Sequence, residues 1–253
     1  IEAVMMGSQD MFFGAASFIA NYVPDIGVGG IFFCFNDEQH FINYLNSPVI
    51  KDVEDKFLQD KGVRVISQNW RRSPRVMLTR KTPIQSIDDM KGLKMRVPEI
   101  RTYLESVKAL GANPTPVPWG ETYLALQQGV VDACESPIDM ITGMKFHEAA
   151  PNITLTNHVR ENDALVINEA KWQTMSVTQQ EALISAAQEM SEWYNSSVKQ
   201  KTEEAVATMK SQGAKFYEID VTPFVEIMGK AAQKMENDGL WSKGLFEEVQ
   251  KMK

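Results

Sequence analysis

Residues 178–212 contain neither a proline nor a glycine. Within them Leu183, Ala187, Met190, Tyr194, Val198, Ala205 and Met209 recur at mostly helical spacing, with one polar gap near Lys201. A helix of that length rises roughly 50 Å at 1.5 Å per residue. A compact lobe of about 100–130 residues is only ~35 Å across. The run therefore predicts one helix that crosses two lobes, and it excludes a single small domain.

The rest of the chain reads as alternating strands and helices. "IEAVMMG", 1–7, reads as a strand ending at a glycine, and "FFGAASFIANYVPDIG" is helix-like and stops before Pro24. "IFFCF", 31–35, reads as a second buried strand. Residues 36–62 carry two helical stretches broken at Pro48 and stopped at Gly62, and "VRVISQNW", 63–70, alternates as a strand. Such β/α alternation implies a largely parallel sheet. Ser86 and Asp89 have the spacing of a capping pair. A helix over about 99–110 stops at Gly111, and a proline-rich loop leads into a helix ending at Gly129. "VVDACESP", "NITLTNHV", "ALVINEAKW" and "AKFYEID" read as further strands, and Thr222-Pro223 opens a last helix. The fold class expected is α/β, with two lobes tied by several crossings and the long helix. In such sheets ligands bind beyond the carboxyl ends of strands.

"MKGLKMRVPEI", 90–100, puts an arginine at such an end. Leu93, Met95 and Val97 fall on one strand face, and Lys94 and Arg96 on the other. Lys94 can reach water at the start of the run. Arg96 sits where the strand gives way to Pro98, either paired with an acid such as Asp132 or Glu135 or clamping an anion. A guanidinium presents a planar fork that matches a carboxylate with two charge-assisted hydrogen bonds, which a lysine cannot do.

Bulk properties narrow the partners. A net charge of −7 argues against nucleic acid as the main partner. No apolar run approaches the ~18 residues of a membrane helix. The opening "IEAVMMGS" reads like the middle of a fold, so a targeting segment is expected to have been removed. Cys34 and Cys134 lie far apart without metal-ligand spacing and are read as buried free thiols. His40, His147 and His158 are scattered, and no metal, nucleophile-elbow or phosphate-loop motif is present. Neither a cofactor nor catalysis is expected.

The stretch "DDMKGLKMRVPEIRTYLESVKALGANPTPVPWGETYLALQQGVVDACESP", 88–137, resembles the signature of extracytoplasmic solute-binding proteins of TRAP transporters, the dicarboxylate-binding-protein-like family. Gly92, Arg96, Pro98, Gly111, Pro114, Trp119, Tyr123, Gly129, Asp132, Glu135 and Pro137 match its pattern in order, and weaker similarity covers essentially the whole chain. The resemblance implies two α/β lobes around a cleft, with hinge strands and a long shared helix. It implies capture of an organic acid outside the cytoplasmic membrane, in the periplasm, by a monomer that delivers it to the permease membrane subunits. It assigns Arg96 to the ligand carboxylate, Arg75 as a second arginine (with Arg71 and Arg72 as competitors) and Trp119 as a ring packed on the ligand. The family asparagine near the ligand is Ser136 here, a small hydrogen-bonding residue. Gln9 and Trp70 lie at strand exits facing the same cleft, and Tyr123 is core with a hydroxyl within reach of it. Members begin with a β-α-β-α segment that this sequence lacks, so the sequence is expected to be incomplete at its N-terminus. The lobes are expected at 1–74 plus 162–205 and at 75–161 plus 206–253. A sugar acid or a small dicarboxylate is the expected ligand.

Overall fold

The computed structural model describes all 253 residues. In chain order its elements are α1 (Glu2–Met5), β1 (Met11–Ala15), α2 (Glu38–Leu45), α3 (Pro48–Lys61), β2 (Val63–Arg71), β3 (Arg75–Thr79), β4 (Lys94–Val97), α4 (Arg101–Ala109), β5 (Asn113–Pro116), α5 (Thr122–Gln128) and β6 (Ala133–Pro137). They continue with α6 (Phe146–Ala149), β7 (Asn152–Thr154), β8 (Asn162–Asn168), α7 (Glu169–Gln173), α8 (Val177–Ser211), β9 (Lys215–Tyr217), α9 (Thr222–Asn237) and α10 (Leu245–Gln250).

Two sheets result. The first has the order β1-β8-β2 with both pairings antiparallel. The second has the order β5-β4-β6-β3-β7-β9, in which β4 runs parallel to β5 and β6, β7 runs parallel to β9, and β3 opposes β6 and β7. The chain passes between the sheets at residues 72–74, at 155–161 and along α8. These crossings bring side chains from distant segments into the gap between the sheets.

The long helix forms as its sequence predicts. Ser176 and Gln179 close a reciprocal capping box at its start, which satisfies two backbone donors that the first turn leaves open. It packs against β2 of the first sheet and the short 3-10 turn Ile138–Met140 after β6 of the second, so it does span both. Its far end buries Ala205 and Met209 in the core of the second sheet. Midway, Asn195 pins it to the end of β2: its Nδ2 donates to Asn69 O at 2.7 Å, and its Oδ1 accepts from Arg71 N at 2.8 Å. Met190, on the predicted apolar stripe, is exposed, because a helix that bridges two bodies has no core beneath it along its whole length.

Two apolar clusters fill the molecule. The larger includes Ile31, Phe32, Phe57, Met95, Val97 and Tyr103, together with Phe224, Met228 and Val249 of the C-terminal helices. The smaller gathers Leu78, Leu126, Cys134, Ile153 and Met209 around the second sheet. Cys34 and Cys134 are free thiols, both buried, and burial pushes each up to about 12.

Several local expectations are corrected. Residues 1–7 form a short helix rather than a strand; Val4 is buried, and Val4 O accepts from Asn168 Nδ2 at 2.8 Å. Residues 12–15, expected as helix, belong to β1, because pairing with β8 from Met11↔Ile167 to Ala15↔Asp163 outweighs the local pattern. Two 3-10 turns follow, at Ala16–Asn21 and Pro24–Gly30. A Cβ on Gly29 would lie 2.8 Å from the Tyr44 ring, so glycine lets α2 approach the turn closely. "IFFCF" is a buried turn, not a strand; Phe33 adopts φ 60° and its N–H donates to His158 O at 2.6 Å. The proline-rich loop contains edge strand β5, where Pro114 and Pro116 sit without interrupting a central ladder. The "EAKW" end of the strand expected at 164–172 is α7. The first sheet is antiparallel because β8 returns from the other sheet along a crossing, not through a helix.

Candidate ligand-binding site

β4 delivers Arg96 by strand alternation. Met95 and Val97 are buried in the larger core, Lys94 is exposed, and Arg96 emerges on the face opposite the core. The Ser86–Asp89 capping box and Gly92, at φ 72°, set the approach to β4, which is held between β5 and β6. Arg96 is only 2% exposed. Its Nε donates to Val117 O at 2.9 Å, and its guanidinium carbon lies 5.4 Å from the centre of the Trp119 ring. Its Nη1 is buried without a hydrogen-bond partner, 3.9 Å from Glu135 Oε1.

The two neighbouring arginines are engaged. Arg75, 4% exposed, grips Glu135 with Nε and with Nη2 (2.8 Å to Oε1), and its Nη1 donates to Glu161 Oε2 at 2.9 Å. Arg72 forks onto Asp163 through Nε at 3.0 Å and Nη2 at 2.5 Å, and also reaches Glu161 Oε2 at 3.3 Å. The second oxygen of Glu161 accepts from Ser17 Oγ at 2.5 Å and Tyr103 Oη at 3.4 Å. Behind Glu135, His158 Nδ1 meets Thr156 Oγ1 at 2.7 Å, while His158 Nε2 lies 3.8 Å from Glu135 Oε2.

Electrostatics follow this pairing. Burial alone would raise the Glu135 carboxyl, but the Arg75 guanidinium and the His158 contact outweigh it and hold the group down at about 2. Burial opposes the Arg75 charge, yet Glu135, Tyr103 and Glu161 raise its pKa well above the ordinary value. Arg96 goes the other way. Burial lowers its pKa, Glu135 offsets this only in part, and neighbouring Arg75 lowers it further. Arg96 is thus a buried cation with too little compensating charge, and a buried charge lacking a full partner is costly. An anion beside its Nη1 removes that cost.

A cavity of about 250 Å³ between the two sheets is lined by Arg96, Arg75 and Arg72, by Glu161 and Ser17, and by Phe12, Phe18, Ile100, Trp119 and Met140. Of the candidate residues from the sequence, Arg96, Arg75 and Trp119 meet here. Trp119 also packs edge-on against Phe146, with centroids 4.9 Å apart, so its ring is braced. Ser136 is fully buried and turned to its own chain, its Oγ donating to Pro137 O at 2.9 Å, so it does not line the cavity. Trp70 packs edge-on against Phe13, with centroids 5.1 Å apart, and Tyr123 packs on the smaller core. Gln9 is exposed on the turn after α1, which follows from that segment being a helix that does not run into the gap. Asp132 is not the partner of Arg96; its Oδ2 accepts from Lys94 N at 3.2 Å. Sequence reasoning missed Glu161, Asp163 and Ser17, whose roles depend on crossings between segments far apart in the chain. No group of three His, Cys, Asp or Glu side chains is placed to hold a metal ion, and no helix is long and apolar enough to cross a membrane.

Two lobes, a cleft lined by arginines and a shared long helix define a solute-binding protein. The chain belongs to the bacterial extracellular solute-binding protein family 7, whose model matches residues 1–238. It is 31% identical over 228 residues to the sialic acid-binding periplasmic protein SiaP of Vibrio cholerae, a match covering 90% of this chain and 70% of that protein. Among solved structures, a TRAP periplasmic solute-binding protein from Ochrobacterium anthropi with bound L-fuconate superposes with a TM-score of 0.91 at 29% identity, covering 99% of this chain and 82% of that one. A TRAP periplasmic solute-binding protein from Bradyrhizobium in complex with D-galacturonate gives 0.90 at 28% identity, covering 99% and 83%. The α/β two-lobe fold and the family expected from the sequence are both borne out.

Proposed function

We propose that this protein captures an organic acid in the cavity between its lobes, with the ligand carboxylate on Arg96, and hands it to the membrane subunits of a TRAP permease. The observation that carries the reading is the buried Arg96 guanidinium, which lines the cavity with an Nη1 that no protein acceptor satisfies. Trp119 supplies a flat wall for the carbon skeleton. Arg75 and Arg72 are held in ion pairs by Glu135, Glu161 and Asp163, so they shape and polarise the cavity and leave Arg96 as its guanidinium with an open nitrogen. That arrangement favours an acid with one carboxylate over a dicarboxylate. Polar walls at Ser17 and Glu161 suit hydroxyl groups, and the sugar acids bound by relatives fit both features.

The protein acts by binding and closure, not by catalysis. Ligand contacts made by both lobes stabilise the closed form by their difference in affinity for the two states. The lobes are 1–74 plus 162–205 and 75–161 plus 206–253, a division supported by the two sheets, with α9 and α10 folding back onto α4 and the larger core. It works as a monomer in the periplasm. Calorimetric titration with D-galacturonate, L-fuconate and succinate tests the reading. The two sugar acids are expected to bind more tightly than succinate. Arg96→Ala should remove two charge-assisted hydrogen bonds, about 3 kcal/mol or more, and weaken binding at least about a hundredfold. Unchanged affinity in that variant would overturn the assignment.

A further inference from the structure

A second cavity, of about 360 Å³, opens where the chain passes between the sheets. It shares Arg72 with the first but is otherwise built from different parts: Arg71 from the end of β2, Arg160 from the crossing into β8, Glu38 from α2, and Lys199 and Glu203 from α8. Apart from Phe41, Pro74 and Val198, the residues that line it are polar or charged. Asn195, Lys199 and Glu203 sit at i, i+4 and i+8, which places them on one face of the long helix.

Apart from Arg72, the cations here are loosely partnered. Arg160 is half-buried, takes part in no ion pair, and its Nε is buried without a hydrogen-bond partner. Burial lowers its pKa, and Glu38 and Asp37 offset that only in part. Arg71 is held more loosely than the forked arginines: its Nη1 donates to Asn69 Oδ1 at 3.3 Å, and its Nε, without a hydrogen bond, forms a long ion pair 3.5 Å from Glu38 Oε1. Lys199 is exposed at the rim and has no carboxylate partner. The contrast with Arg64, Arg72 and Arg75, each forked onto a carboxylate, is the same contrast that singles out Arg96. A guanidinium withdrawn from water without an acceptor is unfavourable, and a bound oxyanion relieves it with charge-assisted hydrogen bonds.

We infer that this cavity is a second anion site, taking a small hydrophilic oxyanion, carboxylate or phosphate, on Arg160 with Arg71 and Lys199. Its residues come from both crossing segments and from the long helix, the parts of the chain that must bend or slide when the lobes move. An anion held there ties those segments together, which makes the site a means of adjusting closure from outside the ligand cleft.

Calorimetric titration of inorganic phosphate, and separately of acetate, into the Arg96→Ala protein at fixed ionic strength tests the inference with the cleft clamp removed. Saturable binding of one equivalent is expected. Arg160→Gln should weaken it at least about tenfold and Lys199→Gln several-fold. Binding of phosphate alone names the ligand class as phosphate, and of acetate alone as carboxylate. Should Arg160→Gln fail to fold by circular dichroism, the exposed Lys199→Gln carries the test. No saturable heat with either anion up to about 10 mM, or binding indifferent to both substitutions, overturns the inference. Failure of the cleft reading shows instead in sugar-acid titrations of the wild type against Arg96→Ala, which leave Arg160 intact.

Discussion

Glu135 should be the keystone of the charge cluster, and Glu135→Gln measures how much. The carboxylate is fully buried and receives Arg75 through two nitrogens, with Arg96 Nη1 3.9 Å away and His158 Nε2 3.8 Å away. Glutamine keeps the shape but removes the charge, and turns an amide donor toward two guanidinium groups. Breaking one side of a buried pair costs about 3–5 kcal/mol. In a chain of this size each kcal/mol moves the melting point by about 2–4 °C, so a drop of roughly 10 °C is expected at pH 7 by circular dichroism. Acidity gives an independent measure. The native pKa of about 2 lies below the ordinary 4.5, so between these values the unfolded chain holds a proton that the folded one lacks. The stabilisation is therefore complete above about pH 4.5 and is lost as pH falls through about 2, with a magnitude on the order of 3 kcal/mol. The wild type and Glu135→Gln should accordingly converge in stability as pH falls from 5 toward 3. A gap below about 1 kcal/mol at pH 7, or one that stays constant over that acid range, would refute the keystone role.

Two further substitutions separate structural parts from binding parts. Ser136→Ala removes a buried hydroxyl that donates to Pro137 O, so a stability loss of about 1 kcal/mol in urea denaturation is expected. Sugar-acid affinity should stay within about twofold, and a larger drop would mean that Ser136 turns into the cavity on closure. Burial lowers the His158 pKa below its ordinary 6.5, so the unfolded chain takes up a proton first and wild-type stability should fall as pH drops below about 6.5. His158→Gln should abolish that slope in melting curves between pH 7 and 5, and an unchanged slope would assign it to other groups.

The parts legible in the sequence are those whose cause is local. The long helix could be read because a run without proline or glycine has few alternatives. Gly62 and Gly129 could be read as helix stops because each takes a left-handed conformation there, at φ 64° and φ 77°. Arg96 could be read because strand alternation and a following proline fix where its side chain leaves the sheet. The first thirty-five residues depart from their local pattern because their structure is set from outside. β1 exists only through β8, some hundred and fifty residues on, and the buried turn at 31–35 is apolar all round. Periodicity cannot separate such a turn from a buried strand.

The same division explains why the clamp was legible and its tuning was not. Whether Arg96 meets a ligand or a protein acid turns on where Glu135 spends its charge, and that is decided by Arg75 on the adjacent strand, some sixty residues away in the chain. β3 opposes β6 with Arg75↔Pro137 and Met77↔Glu135, and this brings the Arg75 guanidinium onto the Glu135 side chain. β4 runs beside β6 from the other side, with Arg96↔Cys134, so Arg96 arrives next to a carboxylate already gripped by Arg75. Glu161, reached only through the crossing between sheets, then takes up the remaining charge of Arg75 and part of that of Arg72. Three arginines close together would by themselves suit a polyanion. The three carboxylates placed by tertiary structure balance them in number but spend their hydrogen bonds on Arg75 and Arg72, and that geometry, rather than the number of charges, leaves Arg96 with one open nitrogen for the carboxylate of a ligand.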